Sequence, residues 1–195
     1  MAEFVEVESF LDGTAVERTR DEMRRAHGNP AALLGSPAEQ TRAPSPRRAT
    51  RIAISHATRA GVMQLLEEHR PRIEARFGRP LDGCEEPQFL RYEPGDYFVP
   101  HQDGNTPLIH DESRFRKVSV VILLSEQSKQ PTPETYCGGS LVLHGPYGQP
   151  DERIALAPPP GTLVAFPSET THEVTPITHG ERLSIVSWYR SEGEQ

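Results

Sequence analysis

Cysteine is scarce in this sequence, which limits the kinds of protein that it can be. Only Cys84 and Cys137 occur in 195 residues, and their separation excludes a CxxC redox or zinc motif. Two cysteines cannot form the disulfide framework that is typical of small secreted proteins. We therefore expect both thiols to be free and the protein to be cytoplasmic.

Long apolar runs and an excess of positive charge are also missing. No stretch approaches the roughly 20 apolar residues of a membrane-spanning helix, and the N-terminal MAEFVEVESFLDG lacks the basic and apolar regions of a secretory signal. The 21 Lys and Arg residues are outnumbered by 28 Asp and Glu, which gives a formal net charge of -7. We accordingly expect neither a membrane nor a nucleic acid as a partner.

Glycine and proline, by contrast, are abundant and favour short strands joined by turns. The sequence contains 15 Gly and 19 Pro residues, which are the strongest interrupters of regular structure. A chain of 195 residues suits one domain with one core. Within a single domain spanning residues 1–195, we expect residues 1–83 to form a support and residues 84–190 to form the functional core.

The N-terminal part alternates between extended and helical patterns. EFVEVESFL predicts a strand, after which Asp12 is placed to cap a helix that stops at Gly28. Residues 29–50 contain four prolines and predict a long loop, whose basic end, RAPSPRR, is interpreted as solvated or, alternatively, as a substrate lid. TRIAIS predicts a strand. Residues 57–78 have helical periodicity, with Pro71 expected to kink the helix or to begin a second one.

From residue 85 onward, about eight short apolar runs are separated by turn residues. They are PQFLRYE, YFVPHQD, KVSVVILLS, GSLVLHG, RIALAP, GTLVAFP, HEVTPI and RLSIVSWYR. This pattern, without helices between the strands, is typical of a sandwich or a barrel. The expected fold class is mainly β with N-terminal helices: a double-stranded β-helix, or jelly roll, packed against a helical layer.

Three side chains from these strands are candidate ligands of one metal ion. His101 and Asp103 lie two residues apart in YFVPHQDG, so an extended chain would project both from one face. His172 begins the strand in TTHEV. Two imidazoles and one carboxylate leave open coordination positions, which suits non-haem Fe(II), although zinc accepts the same ligands. A surface hydrogen bond between His101 and Asp103 is the simpler alternative.

Arg182 is a candidate for binding an anion opposite these ligands. It follows His172 by ten residues, and the intervening EVTPITHGE predicts a strand, a turn and a returning strand. Because packed sheets lie about 10 Å apart, a metal and a guanidinium on facing walls would fit a small dicarboxylate, which Arg182 would hold bidentately. Ser184 faces the same way and adds a hydroxyl donor. The alternative for Arg182 is a surface ion pair with Glu181 or Glu173.

Three segments resemble the iron- and 2-oxoglutarate-dependent oxygenases, specifically the prolyl-4-hydroxylase-like group. The segments are RYEPGDYFVPHQDG, CGGSLVLHG and PGTLVAFPSETTHEVTPITHGERLSIVSWY, and the resemblance covers roughly residues 84–190. Their motifs follow the order and spacing of the family: HxD, paired glycines, a PGTLVAF strand, HEV, a basic residue ten positions later and a closing tryptophan.

The resemblance implies a role for four of the candidate residues. His101, Asp103 and His172 would hold Fe(II), and Arg182 would bind the distal carboxylate of 2-oxoglutarate. The implied reaction couples oxidative decarboxylation of 2-oxoglutarate by dioxygen to hydroxylation of a prime substrate, with ascorbate as an auxiliary reductant. The intact Asp103 argues against the related halogenases, which leave that ligand position to a halide.

The resemblance also bears on the cosubstrate pocket. Tyr92 matches a family tyrosine that hydrogen-bonds 2-oxoglutarate, with an ordinary core tyrosine as the alternative. Leu123 departs from the family pattern, because several members have a second tyrosine there. We therefore expect the pocket to depend more on Arg182 and Ser184.

The prime substrate and some neighbouring residues are less determined. A prolyl residue in a peptide or protein is the family-level expectation, and a free amino acid or a secondary metabolite is the alternative. A jelly-roll protein that only binds a metal or a small acid, and a zinc-dependent hydrolase or isomerase, also stay open. Phe98 and Gln102 are expected to line the substrate side, and Trp188 to lie in the core or, alternatively, to stack on the substrate. Gly138 and Gly139 are expected to permit a bulge or a tight entry into a strand.

Overall fold

The computed structural model describes residues 2–31, 45–107, 109–145 and 152–192. These ranges contain two α-helices, α1 (Gly13–Arg25) and α2 (His56–Phe77), and a 3₁₀ helix at Glu112–Phe115. The strands are, in chain order, β1 (Val5–Val7), β2 (Gly28–Pro30), β3 (Arg47–Arg48), β4 (Thr50–Ile52), β5 (Gly83–Cys84), β6 (Gln88–Tyr92), β7 (Tyr97–His101), β8 (Arg116–Leu123), β9 (Cys137–Gly138), β10 (Leu141–His144), β11 (Arg153–Leu156), β12 (Leu163–Pro167), β13 (His172–Val174), β14 (Ile177–His179) and β15 (Arg182–Arg190). No helix within the described ranges is long and apolar enough to span a membrane.

Most strands belong to two antiparallel sheets. The larger sheet has the strand order β1-β12-β8-β15-β6-β4-β2, with β5 paired to β15. The smaller sheet has the order β11-β10-β13-β7-β3, and β9 pairs with β14 separately. This mainly β arrangement of two sheets with few helices agrees with the predicted jelly-roll class.

The larger sheet buries both of its faces, and the alternation of its strands distributes the side chains between them. On β8, Val118, Val120 and Ile122 belong to one apolar cluster, whereas Val121 and Leu123 belong to another on the opposite face. The first cluster also contains the buried helical residues Val16, Met23, Val62, Leu66 and Ile73. The second contains Leu141, Leu143 and Leu156 of the smaller sheet. The side chains between the two sheets are therefore every second residue of each strand.

Both helices begin as the sequence predicts, but α1 ends earlier than predicted. The Asp12 carboxylate caps α1 by accepting a hydrogen bond from the backbone N–H of Ala15 at 2.8 Å. Gly28 does not terminate this helix; it begins β2 and pairs with Ile52, where any side chain would overlap that of Thr50. α2 continues through Pro71 as one helix, so of the two alternatives expected there, a kink or a second helix, the second helix is wrong. Its buried face extends past the proline to Ile73, and this packing outweighs the lost hydrogen bond.

Two further predictions, one of a loop and one of a strand, also need correction. The predicted loop at residues 29–50 contains strand residues at both ends, in β2 and in β3, and residues 32–44 lie outside the described residues. The HEVTPI run divides into β13, in the smaller sheet, and β14, which pairs with β9. Pro176 lies between them, and proline has no N–H to continue a ladder.

Candidate active site

His101 and His172 face each other across two neighbouring strands of the smaller sheet. β7 ends at His101, β13 begins at His172, and the two residues are direct partners in the antiparallel register. Directly opposite residues have Cβ atoms about 5 Å apart, and here the two ring centroids are 4.2 Å apart. The pairing of the strands therefore brings the two imidazoles together.

Asp103 joins this pair from the loop after β7, because the strand ends at His101 and does not extend to Asp103 as the alternation predicted. The backbone N–H groups of Asp103 and Gly104 donate to the carbonyl oxygen of Ser168, at 2.9 and 3.2 Å. These bonds turn the chain toward β13. The Asp103 carboxylate oxygens then lie 3.4 Å from Nε2 of His101 and 3.3 Å from Nε2 of His172.

The spacing of these atoms suits a single cation. One ligand atom from each of His101, Asp103 and His172 lies within 4.8 Å of the others. Ligands about 2.1 Å from one ion and at right angles lie about 3 Å apart. Small adjustments of the three side chains would therefore complete one face of an octahedral site, and two nitrogens with one carboxylate oxygen suit Fe(II).

Backbone carbonyls fix both imidazoles in the tautomer that a metal requires. Nδ1 of His101 lies 2.8 Å from the carbonyl oxygen of Val99, and Nδ1 of His172 lies 2.9 Å from that of Thr170. Each Nδ1 therefore donates its hydrogen to a carbonyl. Each Nε2 keeps a free lone pair directed at the side of the cleft where Asp103 lies.

Ser119 orients the carboxylate, and sequence reasoning missed it. Its hydroxyl donates to Oδ2 of Asp103 at 2.7 Å and lies 3.1 Å from Oγ of Ser168. The residue is 1% exposed on β8. Its signal in the sequence is a single hydroxyl within the otherwise apolar run VSVVILL.

The three clustered groups change one another's protonation. Burial opposes the charge of Asp103, but the two imidazoles outweigh burial and hold its pKa well below the usual value. Burial and the neighbouring His172 lower the pKa of His101. Burial also opposes the charge of His172, but the Asp103 carboxylate outweighs it and raises the pKa of His172. An ionised carboxylate is thus available to a divalent cation.

Arg182 lies at the start of β15 and is almost completely buried, with 1% of its surface exposed. Its Nη1 donates to Oγ of Ser184 at 2.9 Å. Its Nε and Nη2 are buried without a hydrogen-bond partner among the residues that the structure describes. Leaving such donors unpaired costs about 1–3 kcal/mol each, so the site is suited to an anion that would accept both.

The alternative of a surface ion pair for Arg182 is wrong. Glu181 pairs instead with Arg24, at 2.9 Å. Glu173 lies 3.1 Å from Nε2 of His144 and also contacts Arg153.

Tyr92 and Gly139 shape the surroundings of the Arg182 guanidinium. Tyr92 is the cross-strand partner of Arg182, and Cζ of the arginine lies 5.3 Å from the centroid of the tyrosine ring. Gly139 has a φ of +61°, and a Cβ there would lie 3.2 Å from Cδ of Arg182 and would overlap Ile177. The paired glycines therefore permit a tight entry into β10, as predicted, and also leave room for the arginine.

A single cleft contains all six residues that the sequence nominated as metal ligands or cosubstrate contacts. Its lining comprises Arg47, Leu90, Tyr92, Phe98, His101, Asp103, Val120, Val121, Leu141, His172, Val174, Arg182, Ser184, Val186 and Trp188. Leu123 is the cross-strand partner of Ser184 and offers no polar atom to this pocket. The three candidate metal ligands and the buried guanidinium thus lie in the same cavity. A dicarboxylate that chelates a metal ion at one end and binds the guanidinium at the other requires this arrangement.

Four further residues lie in or near this cleft, and the structure places them as follows. Phe98 lines the cleft and stacks on the His101 ring, with centroids 3.5 Å apart. Gln102 is outside the lining; its Nε2 donates to the carbonyl of Glu169 at 2.7 Å, so the prediction for Gln102 is wrong. Trp188 is buried as predicted, at 7% exposed, and also lines the cleft. Arg47 lies there too, although RAPSPRR was interpreted as a loop.

Comparison with known proteins gives one family match. Residues 87–190, just over half of the chain, match the family described as the 2OG-Fe(II) oxygenase superfamily. A PKHD-type hydroxylase of Shewanella sp. (strain MR-7) is 37% identical over 105 residues, which are 54% of this chain and 42% of the relative. One of Klebsiella pneumoniae (strain 342) is 33% identical over 143 residues, 73% and 58% of the respective chains. The chain spans about half the length of the curated relatives it matches.

Solved structures agree on the fold. A prolyl-4-hydroxylase of Pseudomonas putida superposes with a TM-score of 0.72 and 26% identity, covering 99% of this chain and 95% of that one. A prolyl hydroxylase of Trichoplax adhaerens, in complex with a peptide fragment of the hypoxia inducible factor oxygen degradation domain, gives a TM-score of 0.71 at 20% identity, covering 97% and 84%. The second likeness concerns the fold alone.

Proposed function

The chain belongs to the 2OG-Fe(II) oxygenase superfamily, and on this basis we propose that it is a hydroxylase that depends on Fe(II), 2-oxoglutarate and dioxygen. Its family uses these three groups together. The observation that carries the proposal is the shared cleft, in which a His–Asp–His cluster and an unpartnered, buried guanidinium both lie. A protein that only bound a metal ion would not need the unpartnered, buried guanidinium.

In this proposal, His101, Asp103 and His172 hold the iron. When bound, Fe(II) and 2-oxoglutarate supply the oxidising chemistry: dioxygen converts the ketoacid to succinate and carbon dioxide and delivers its second oxygen atom into a C–H bond of the substrate. The chain's own task is to orient the ligands. The carbonyl acceptors of both Nδ1 atoms and the hydroxyl of Ser119 perform it.

Arg182 and two neighbours bind the distal carboxylate of 2-oxoglutarate in this proposal. The unpaired Nε and Nη2 of Arg182 are donors for its two oxygens. The Oγ of Ser184 already accepts from Nη1 and aligns the guanidinium, and the hydroxyl O–H can donate in turn to the carboxylate. Tyr92 supports the guanidinium through its ring and is proposed to offer its hydroxyl to the cosubstrate.

For the prime substrate, we propose a prolyl residue in a peptide or a protein, with a free amino acid as the alternative. The support comes from the similarity to the Pseudomonas putida prolyl-4-hydroxylase over nearly the whole chain.

We also propose that residues 1–195 form one domain, in which the N-terminal helices support the oxygenase core. The apolar cluster shared by both helices and the larger sheet favours this organisation.

The test is turnover with single-residue variants. Protein loaded anaerobically with Fe(II) and 2-oxoglutarate is exposed to dioxygen with a panel of prolyl peptides and free amino acids, and succinate and oxygenated product are measured by mass spectrometry. His101→Ala removes a ligand and should abolish both products. His144 lies on the neighbouring strand β10 but is not one of the three candidate ligands, so His144→Ala should still form both products. Full turnover by His101→Ala would show that the ligands are assigned wrongly.

A further inference from the structure

Arg47 places a second guanidinium in the cleft. It lies on β3, the edge strand of the smaller sheet, where it pairs with Phe98 of β7. Its Cζ lies 5.0 Å from the centroid of the Phe98 ring, and that ring stacks on His101 with centroids 3.5 Å apart. A single aromatic ring therefore separates this cation from the proposed metal centre.

Arg47 is more than nine-tenths buried and forms no ion pair with the residues that the structure describes. Its exposed fraction is 8%, and its Nε has no hydrogen-bond partner in the described part of the chain. Its neighbour Arg48 differs on both counts, since its side chain is 59% exposed and lies 3.6 Å from the Asp96 carboxylate. Burying a cation without a counter-charge is unfavourable, so Arg47 indicates an anion that the described residues do not supply.

The cosubstrate does not account for this charge. In the proposed function, the metal and Arg182 supply the positive charges, and Asp103 with the two carboxylates of 2-oxoglutarate balances them. The two imidazoles bind as neutral ligands and change nothing in this balance. The charge of Arg47 is left for the remaining molecule in the cleft, which is the prime substrate.

A second, more open cleft meets the first at Arg47. It is lined by Pro30, Ala31, Ser45, Arg47, Arg48, Ala49, Thr50, Glu93 and Asp96. A group held by Arg47 therefore lies where the two clefts join. A free amino acid would occupy the first cleft only, whereas a peptide would continue from this junction along the second.

We propose that Arg47 recognises a carboxylate of the prime substrate; this inference rests on the proposed function of the cleft. The planar guanidinium accommodates a carboxylate bidentately, which neither lysine nor a neutral side chain reproduces. The carboxylate belongs either to the α-carboxyl group of a free amino acid or to an acidic side chain beside the oxidised residue of a peptide. Both sources present the same chemistry to Arg47.

The experiment compares carboxylates with their neutral amides. The first pair of probes is L-proline and L-prolinamide; the second is the acetylated and amidated tetrapeptide Ala-Asp-Pro-Ala and its asparagine counterpart. Each probe is titrated anaerobically into protein loaded with Fe(II) and 2-oxoglutarate. The fluorescence of Trp188 reports binding, because it is the only tryptophan in the sequence and lines the cleft.

We expect the carboxylate member of one pair to bind about 10- to 100-fold more tightly than its amide, and the responding pair identifies the source. Arg47→Gln should remove this preference, and Arg47→Lys should retain part of it. The control Arg51→Gln, at an exposed residue of β4 outside the lining of both clefts, should retain all of it. Thermal melting shows whether Arg47→Gln is folded. If it is not, the carboxylate preference of Arg47→Lys tests the proposal, because a bidentate contact predicts that lysine loses part of this preference.

Two results would overturn the assignment of Arg47: no carboxylate preference in either pair, or a preference that persists unchanged in both Arg47 variants. Affinity for 2-oxoglutarate separates this failure from failure of the proposed function. If the wild-type protein does not bind 2-oxoglutarate in the presence of Fe(II), the proposed function fails. If 2-oxoglutarate binds equally to the wild type and to Arg47→Gln while the preference is absent, only the role of Arg47 fails.

Discussion

At the scale of single residues, each proposed metal ligand is held by a hydrogen bond to a neighbouring group of the protein. His101 and His172 donate to backbone carbonyls, whereas the Asp103 carboxylate accepts from the side chain of Ser119. The carbonyls cannot be removed by substitution, but the serine hydroxyl can. Ser119 is therefore the position at which orientation of a ligand is separable from the ligand itself.

Ser119→Ala should weaken Fe(II) binding by about 10- to 100-fold, because the freed carboxylate samples other rotamers. Metal titration followed by Trp188 fluorescence measures this change. Ser187→Ala is the matched control, since Ser187 is equally buried and its hydroxyl donates to the carbonyl of Glu85 at 2.7 Å, away from the ligands. An equal loss of metal affinity in the two variants would argue against an orienting role for Ser119.

Arg182→Gln should raise the KM for 2-oxoglutarate by at least about 100-fold, because a charge-assisted, bidentate contact is lost. Its affinity for Fe(II) should stay close to that of the wild type. Arg190→Gln, at the far end of the same strand and paired with Glu112 and Glu85, is the control. A wild-type KM in Arg182→Gln would contradict the assigned cosubstrate site.

The sequence predicts residues whose chemistry is specific to their type and spacing. HxD, HEV and the arginine ten positions later identify four residues, the resemblance adds Tyr92 and strand alternation adds Ser184, and the cleft brings all six together. Arg47 could not be found in this way, because it reaches the cleft only through the pairing of β3 with β7, about fifty residues further along the chain. Ser119 needed knowledge of which face of β8 meets Asp103.

At the scale of secondary-structure elements, the turn between β12 and β13 supports the loop that contains Asp103. The Ser168 carbonyl accepts from Asp103, and the Glu169 carbonyl accepts from Gln102. The Glu169 carboxylate in turn pairs with Arg79, which precedes β5, and with Nδ2 of Asn105. This carboxylate therefore joins the ligand-bearing loop to a segment after α2.

Acidification should test the contact between Glu169 and Arg79. Burial opposes the charge of Glu169, but bonds from Arg79 and Asn105 outweigh it and hold the pKa below its usual 4.5. The pair therefore stabilises the fold above about pH 4.5, and this stabilisation is lost as the pH falls through the lowered pKa. Arg79→Gln should lower the melting temperature at pH 7 and show a smaller further decrease between pH 5 and pH 3 than the wild type. Equal pH dependence in both proteins would exclude the contribution of the pair.

Strands were predicted correctly where they contain several apolar residues of their own. They were missed where they form only by pairing with a strand that is distant in the sequence. KVSVVILLS and RLSIVSWYR predicted β8 and β15 to within a residue or two, since each carries several apolar residues of its own. β3 and β9 have two residues each and no pattern to detect. They exist because β7 and β14 offer them hydrogen-bonding edges.

At the scale of the whole molecule, the core and the cleft are opposite faces of one sheet. On β15, Leu183 and Ile185 belong to the cluster shared with the helices, whereas Arg182 and Ser184 line the cleft. Strand alternation thus separates the residues that stabilise the fold from those that bear the chemistry. The smaller sheet and the loop after β7 supply the three candidate metal ligands, and the larger sheet supplies the guanidinium.

The most direct test of this arrangement is an anaerobic crystal structure with Fe(II) and 2-oxoglutarate, with the metal located by anomalous scattering at the iron edge. We predict one iron bound by Nε2 of His101, a carboxylate oxygen of Asp103 and Nε2 of His172. The distal carboxylate of 2-oxoglutarate should contact Nε and Nη2 of Arg182. An iron held by other residues, or a 2-oxoglutarate that leaves these two nitrogens unpaired, would contradict the account.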